Sequence, residues 1–348
     1  YYSFSWATGM TGLVYNATKF DRAGYEVPNT TDELLKLCGE IKGDGEIPFV
    51  FSSATGYWTY LRNVWYMQYQ GVDGMIDFFN GIDDGSYSRD IFLQQGRLVS
   101  LETLDSLINA EKKYNHGSVN TLTFTQAQAQ LILGNGLMMV NGDWLENEVR
   151  TDFEDELASG ELDIRYMAMP VISSLGEKLG LTDAQLSAAV EYVRNGGEKP
   201  AISDDALTAV ADACKINQTL GVNHNAVIPC YAKAEKLAKD FLVFMASDAA
   251  QEIYLSATKG AMLPFDYDAE NSECYAGFSP FQKSKFEVMQ GSKYVFNQSK
   301  HPLFYRGGVT PYSNLKTNPE VNLFNEKNYK NYKKITFENY DYVYKNWN

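Results

Sequence analysis

Histidine is nearly missing from this chain, with three in 348 residues: His116, His224 and His301. Each sits beside Gly, Asn or Pro in a loop-like setting, and none is spaced against another for metal binding. His-Glu-x-x-His is absent, which removes a common zinc-hydrolase pattern. Cysteine is scarce too. Cys38, Cys214, Cys230 and Cys274 are too sparse for a disulfide scaffold, and none pair as Cys-x-x-Cys. Their spacing leaves every pairing open. Cys38 and Cys214 fall on apolar faces of predicted helices, where a free thiol acts as a small hydrophobe. No run approaches the roughly 20 apolar residues of a membrane span. Neither a phosphate-binding Walker loop nor a Gly-x-Ser-x-Gly elbow occurs. Gly43-Asp44-Gly45 begins like a dinucleotide loop, but Pro48 stands where the third Gly belongs. Positive charge is short: 30 Lys plus Arg against 44 Asp plus Glu leave a net −14. Such a surface repels phosphate backbones and anionic lipids.

Aromatic residues are what the chain has in quantity. Five Trp, 24 Tyr and 19 Phe make 14% of it. Tyr presents an apolar face and a polar tip, suited to wet binding surfaces. Hydrophobic content of 45% with 21% charged residues is globular, and the length suggests about two domains.

Short strands alternate with helices, which indicates an α/β architecture. Leu13-Val14-Tyr15 reads as a strand. Thr30 with Glu33 is a capping box opening a helix that buries Leu34, Leu37, Cys38 and Ile41. Ile47 to Phe51 reads as a short buried strand. Helices are expected after Tyr60, from about Ser100 to Tyr114, from Phe124 to Leu133, from Leu181 to Asn195, and from Ser203 to about Leu220. Strands are expected at Leu137–Val140, Ile164–Met169 and Val227–Pro229. Lys233 to Met245 repeats apolar residues at helical spacing, and Ser247 caps a further helix. The Lys-, Asn- and Tyr-rich tail from Asn325 reads as a solvated amphipathic segment.

Two constellations place rings beside small and polar residues at strand ends: Thr55-Gly56-Tyr57-Trp58 and Asn141-Gly142-Asp143-Trp144. In open α/β sheets, ligands gather beyond strand ends. A sugar suits this combination, since its C–H face packs on a ring while its hydroxyls bond to carboxylates and amides. Trp58 and Trp144 are equally readable as ordinary core residues.

In order along the chain, four segments resemble the extracellular solute-binding proteins of bacterial ABC importers, in the maltose-binding-protein-like carbohydrate branch. They are Gly12-Leu13-Val14-Tyr15-Asn16 through Leu34; Phe124–Ala129 with Met138-Met139 and Gly142-Asp143-Trp144; Tyr166–Pro170; and Ala234–Pro264. The resemblance implies a periplasmic-binding-protein-like (type II) two-lobed fold. Residues 1–11 would end lobe one and cross over, 12–166 would form lobe two, 167–262 would be a remaining part of lobe one with a helical insertion near 180–220, and 263–348 would return to lobe two. It implies that most of lobe one, a signal peptide and a lipidation cysteine lie outside this sequence. It carries ligand roles to Tyr57, Trp58 and Trp144. Asp143 and Thr55 are added as polar contacts, with Trp6 and Tyr305 as further candidates. A Thr at 55 and a Gly at 9 replace two ligand-binding carboxylates of the malto-oligosaccharide binders, which argues against that specificity.

The implied function is capture of an extracytoplasmic sugar or oligosaccharide and its delivery to ABC permease subunits, with no cofactor and no covalent chemistry. A glycan-active hydrolase would instead require two carboxylates facing each other across an aromatic cleft. A carbohydrate-recognition protein without a permease is the third reading.

Overall fold

The computed structural model describes residues 4–7, 9–53, 55–80, 82–87, 94–108, 111–219, 223–261 and 263–296. Tyr305 and the tail from Asn325 lie outside the described residues. Strand β1 (Phe4–Ala7) leads into β2 (Met10–Asn16), which organises the main sheet. The small hairpin β3–β4 (Ile82–Asp83, Ser86–Tyr87) is separate. On one edge β2 pairs antiparallel with β5 (Met138–Gly142), Leu13 opposite Val140. On the other it pairs with β6 (Ile164–Met167), Leu13 opposite Met167, and at its start with β7 (Ile216–Thr219). β8 (Asn223–Ala226) returns to pair with β1, and β9 (Lys293–Phe296) runs parallel to β7.

Every residue of β2 is buried, as expected for a strand covered on both faces. Its side chains divide by the period of two. Leu13 and Tyr15 enter one core with helices Thr31–Gly43, Trp58–Gln70 and Gln95–Ile108. Met10 and Val14 enter the other, with Ala127 and Leu131 of helix Phe124–Ile132 and with Phe281. Capping boxes open helices at Thr30–Glu33 and Thr182–Gln185, as read from the sequence, and also at Thr123–Gln126 and Ser279–Gln282.

Several elements differ from expectation. The Ser203-capped helix stops at Cys214, because Ile216–Thr219 is drawn into the sheet between β2 and β9. The strand sought at Val227–Pro229 lies earlier, at Asn223–Ala226, where each residue retains an amide; Pro229 has none. Ile47–Phe51 makes only isolated bridges, with Phe49 N donating to Tyr114 O at 2.8 Å and Val50 N to Met138 O at 2.9 Å. The helix sought at Ser100–Tyr114 runs from Gln95 to Ile108. Residues 174–214, expected with lobe one, pack against the helix Trp58–Gln70: Leu186, Val190 and Val210 share the core of Leu13. The Arg194 guanidinium also bonds Met169 O at 2.6 Å. Helix Glu235–Met245 is amphipathic but buries no residue; Phe241 is 57% exposed.

All four cysteines are free. Cys38 is completely buried, and burial pushes its thiol far above the usual range; Cys230 is exposed. Native alkylation followed by mass spectrometry should therefore modify Cys230 quickly and Cys38 only after denaturant is added. Equal rates at the two sites would contradict this packing.

Candidate functional site

Two chain turns meet at the end of β5. The first is the loop before helix Trp58–Gln70. Thr55 Oγ1 donates to Ser52 O at 2.9 Å and closes the loop on itself. Gly56, at φ +69°, takes a left-handed conformation that reverses the chain without a Cβ clash. Residues three apart then share a helical face. Tyr57 and Tyr60 stack with centroids 5.4 Å apart and planes at 22°. Trp58 is 1% exposed and belongs to the buried core that also holds Leu61 and Trp65. The ligand-stacking role expected for Trp58 therefore lacks an accessible ring face: the helix phase turns it into the core.

The second turn follows Gly142. Asp143 N donates to Met10 O at 3.1 Å, tying the turn to the start of β2. The Trp144 indole folds back over Gly142, so that a Cβ there would lie 2.1 Å from the ring; one at Gly9 would lie 3.3 Å away. Only glycine fits beneath the indole at 142. Trp144 meets Tyr57 edge-on, with centroids 6.2 Å apart and planes at 68°. The result is a continuous run of three half-buried rings, Tyr60, Tyr57 and Trp144. The Asp143 carboxylate lies at one end, with Oδ1 3.1 Å from where a Gly9 Cβ would stand. A crevice between Thr55, Tyr57, Phe124 and Asn141 adjoins the rings.

Of the expected site residues, the structure brings Thr55, Tyr57, Asp143 and Trp144 together. Trp6 is half-buried in β1, the strand that runs towards the start of β2. Tyr305 is outside the described residues. Tyr60 was not singled out, although its i, i+3 spacing from Tyr57 carried the signal.

Burial raises both tyrosine hydroxyls, Tyr60 to about 12, so both are neutral donors near neutral pH. Glu148 adds to the shift at Tyr57; its carboxylate accepts from Gln128 Nε2 at 2.6 Å. Burial also pushes the Asp143 carboxyl above the usual range, while the Lys285 ammonium pulls it back. Among the described residues, no cluster of His, Cys, Asp and Glu is arranged to hold a metal. The site thus offers apolar ring faces, neutral hydroxyl donors and one carboxylate acceptor. These are the groups needed to grip a ring-shaped, hydroxylated ligand.

The family described as bacterial extracellular solute-binding protein matches residues 2–252. The Multiple sugar-binding protein of Streptococcus mutans is 30% identical over 148 residues, covering 41% of this chain and 33% of that protein. The chain thus spans about a third of the length of that curated relative. A solved structure from work on xylan utilisation by Caldanaerobius polysaccharolyticus superposes with a TM-score of 0.65 at 15% identity, covering 98% of this chain and 72% of that one. The solute-binding protein RafE in complex with raffinose superposes with a TM-score of 0.59 at 15% identity, covering 100% of this chain and 73% of that one; RafE is from Streptococcus pneumoniae. These likenesses establish an α/β, periplasmic-binding-protein-like (type II) fold.

Gly142→Ala should expel the Trp144 indole from its seat. The expected result is a loss of about 1–3 kcal/mol from overpacking, with an altered near-UV circular dichroism band. Unchanged stability and spectrum would mean that the ring does not lie over Gly142.

Proposed function

We propose, on the premise that this chain belongs to the bacterial extracellular solute-binding proteins, that it captures a sugar or oligosaccharide and hands it to the permease of an ABC importer. The observation that carries this reading is the run Tyr60–Tyr57–Trp144 ending at the Asp143 carboxylate. The rings take the C–H faces of the sugar, and Asp143 with the two phenols takes its hydroxyls. Each aromatic contact contributes about 0.5–1.5 kcal/mol beyond area burial. Micromolar capture needs about −8 kcal/mol, within reach of three rings and a few charge-assisted hydrogen bonds. The sugar-binding relatives support the ligand class.

Two lobes meet at the paired strands β1 and β8, where the chain leaves the main sheet twice. On this reading the unit built on β2 is one lobe, and ligand contacts from both lobes drive hinge closure. The helices of 174–214 belong with that unit, because they share its core. The protein works outside the cytoplasm, where a carbohydrate binder meets its ligand before the permease does, and it performs no covalent step.

Calorimetry with raffinose, xylo-oligosaccharides and a wider sugar panel tests the proposal. Trp144→Ala and Tyr57→Ala should each weaken the best ligand about 2–10-fold. Trp58→Ala should chiefly lower stability, by about 3–5 kcal/mol. Undiminished affinity in both ring variants would overturn the site; binding of no sugar would overturn the ligand class.

A further inference from the structure

A cavity of about 440 Å³ lies between the chain that follows Trp144, the end of helix Asp248–Thr258 and the start of helix Pro280–Met289. None of Tyr60, Tyr57 and Trp144 lines it, so it is separate from the run of rings. Its volume is in the range of small-molecule sites. Leu157 and Phe278 give it an apolar wall, and the remaining lining is rich in charged and hydrogen-bonding groups.

One of those groups is an amide held in a single orientation. Gln282 is 6% exposed. In the capping box its Oε1 accepts from Ser279 N at 3.1 Å, and its own backbone N donates to Ser279 Oγ at 3.2 Å. The bond to Oε1 decides which end of the amide is which and leaves Nε2 as the donor end. Nε2 has no hydrogen-bond partner among the described residues, and the side chain lines the cavity. Gly260 backs it closely: a Cβ there would stand 3.0 Å from Gln282 Cγ. A nearly buried donor left unpaired is costly, and an acceptor on a ligand would remove that cost.

Two cations, Arg150 and Lys259, line the same cavity. Arg150 pairs one terminal nitrogen with Glu146 at 3.3 Å, and its Nε is buried without a partner. Lys259 caps helix Asp248–Thr258 at φ +55°, and its ammonium makes no hydrogen bond or ion pair among the described residues. Two carboxylates stand against them. Glu146 is 5% exposed and is already held by Arg150 and by Ser279 Oγ, which donates to it at 2.9 Å. Glu154 is exposed at the head of helix Glu154–Ala158, where water screens it. Glu146 offsets Arg150, which leaves the Lys259 ammonium and the Gln282 amide as unmatched donors. A carboxylate has two oxygens to accept from both. Ser256 and Glu154, which also line the cavity, suit hydroxyl groups.

We propose that this cavity is a second ligand site, for a small hydroxylated carboxylate of the sugar-acid class. Lys259 and Gln282 Nε2 take its carboxylate, and Ser256 and Glu154 take its hydroxyls. The proposal stands apart from the sugar reading of the rings and does not depend on it. D-Glucuronate is the probe, with D-glucose as the same ring lacking the carboxylate. In the nitrogen-15-labelled 348-residue chain, glucuronate should shift the Gln282 side-chain amide saturably, and glucose should not. The signal is assigned by its loss in Gln282→Glu. That variant keeps an acceptor for Ser279 N but replaces the donor with a negative charge, so it should abolish glucuronate binding in calorimetry. Lys259→Gln alters an exposed side chain and should weaken glucuronate about tenfold or more. It carries the test on its own if Gln282→Glu does not fold. A Gln282 amide that glucuronate leaves unmoved, an equal response to glucose, or full affinity in Lys259→Gln would each overturn the proposal.

Discussion

The hydrogen bond from the Asp143 amide to the Met10 carbonyl, at 3.1 Å, joins the end of β5 to the start of β2. It continues the ladder in which Thr11 faces Gly142 and Leu13 faces Val140. That register decides both cores. A slip of one residue would turn Leu13 and Tyr15 to the face that now takes Met10 and Val14. It would also shift Gly9, just before β2, away from the Trp144 ring that its Cβ position approaches to 3.3 Å. The rings meet because the sheet delivers Trp144 to a fixed height, at which the helix Trp58–Gln70 presents Tyr57.

The same corner gathers the parts of the chain that would have to move together. β1 runs into β2, and β7 runs out to β8, so the two crossing strands sit side by side. Asp143 lies where this pair meets the sheet. In this account a ligand that touches Asp143 touches the joint between the lobes, which connects binding at the rings with closure.

Much of this was legible in the residues themselves. The capping boxes at Thr30 and Thr182, the burial of Cys38 and the strand at Leu13–Tyr15 follow from local chemistry and period. So did the pairing of a ring and a carboxylate after Gly142. The phase of the helix carrying Tyr57 was less legible. Tyr57-Trp58-Thr59-Tyr60 shows three rings within four residues, and only packing reveals that Trp58 enters the core while Tyr60 joins Tyr57. Long-range pairing was hidden as well. Ile216–Thr219 continues a helical pattern locally and becomes a strand because β2 and β9 both offer it an edge. The surroundings of Lys285 gave no signal, since the sequence shows a Lys on a helix and not the Gly260 carbonyl brought to it from elsewhere. The apolar stripe of Lys233–Met245 predicted an amphipathic helix, yet periodicity does not name the surface that such a stripe meets.

The most direct test of the central claim is fluorine-19 NMR of the chain labelled with 5-fluorotryptophan, titrated with whichever panel oligosaccharide binds best. Trp6, Trp58, Trp65, Trp144 and Trp347 give five resonances, each assigned by single substitution. The account predicts that the Trp144 signal shifts with ligand in proportion to site occupancy, while those of Trp58 and Trp65 hold still. A saturable titration in which Trp144 stays fixed would place the sugar elsewhere and contradict the account.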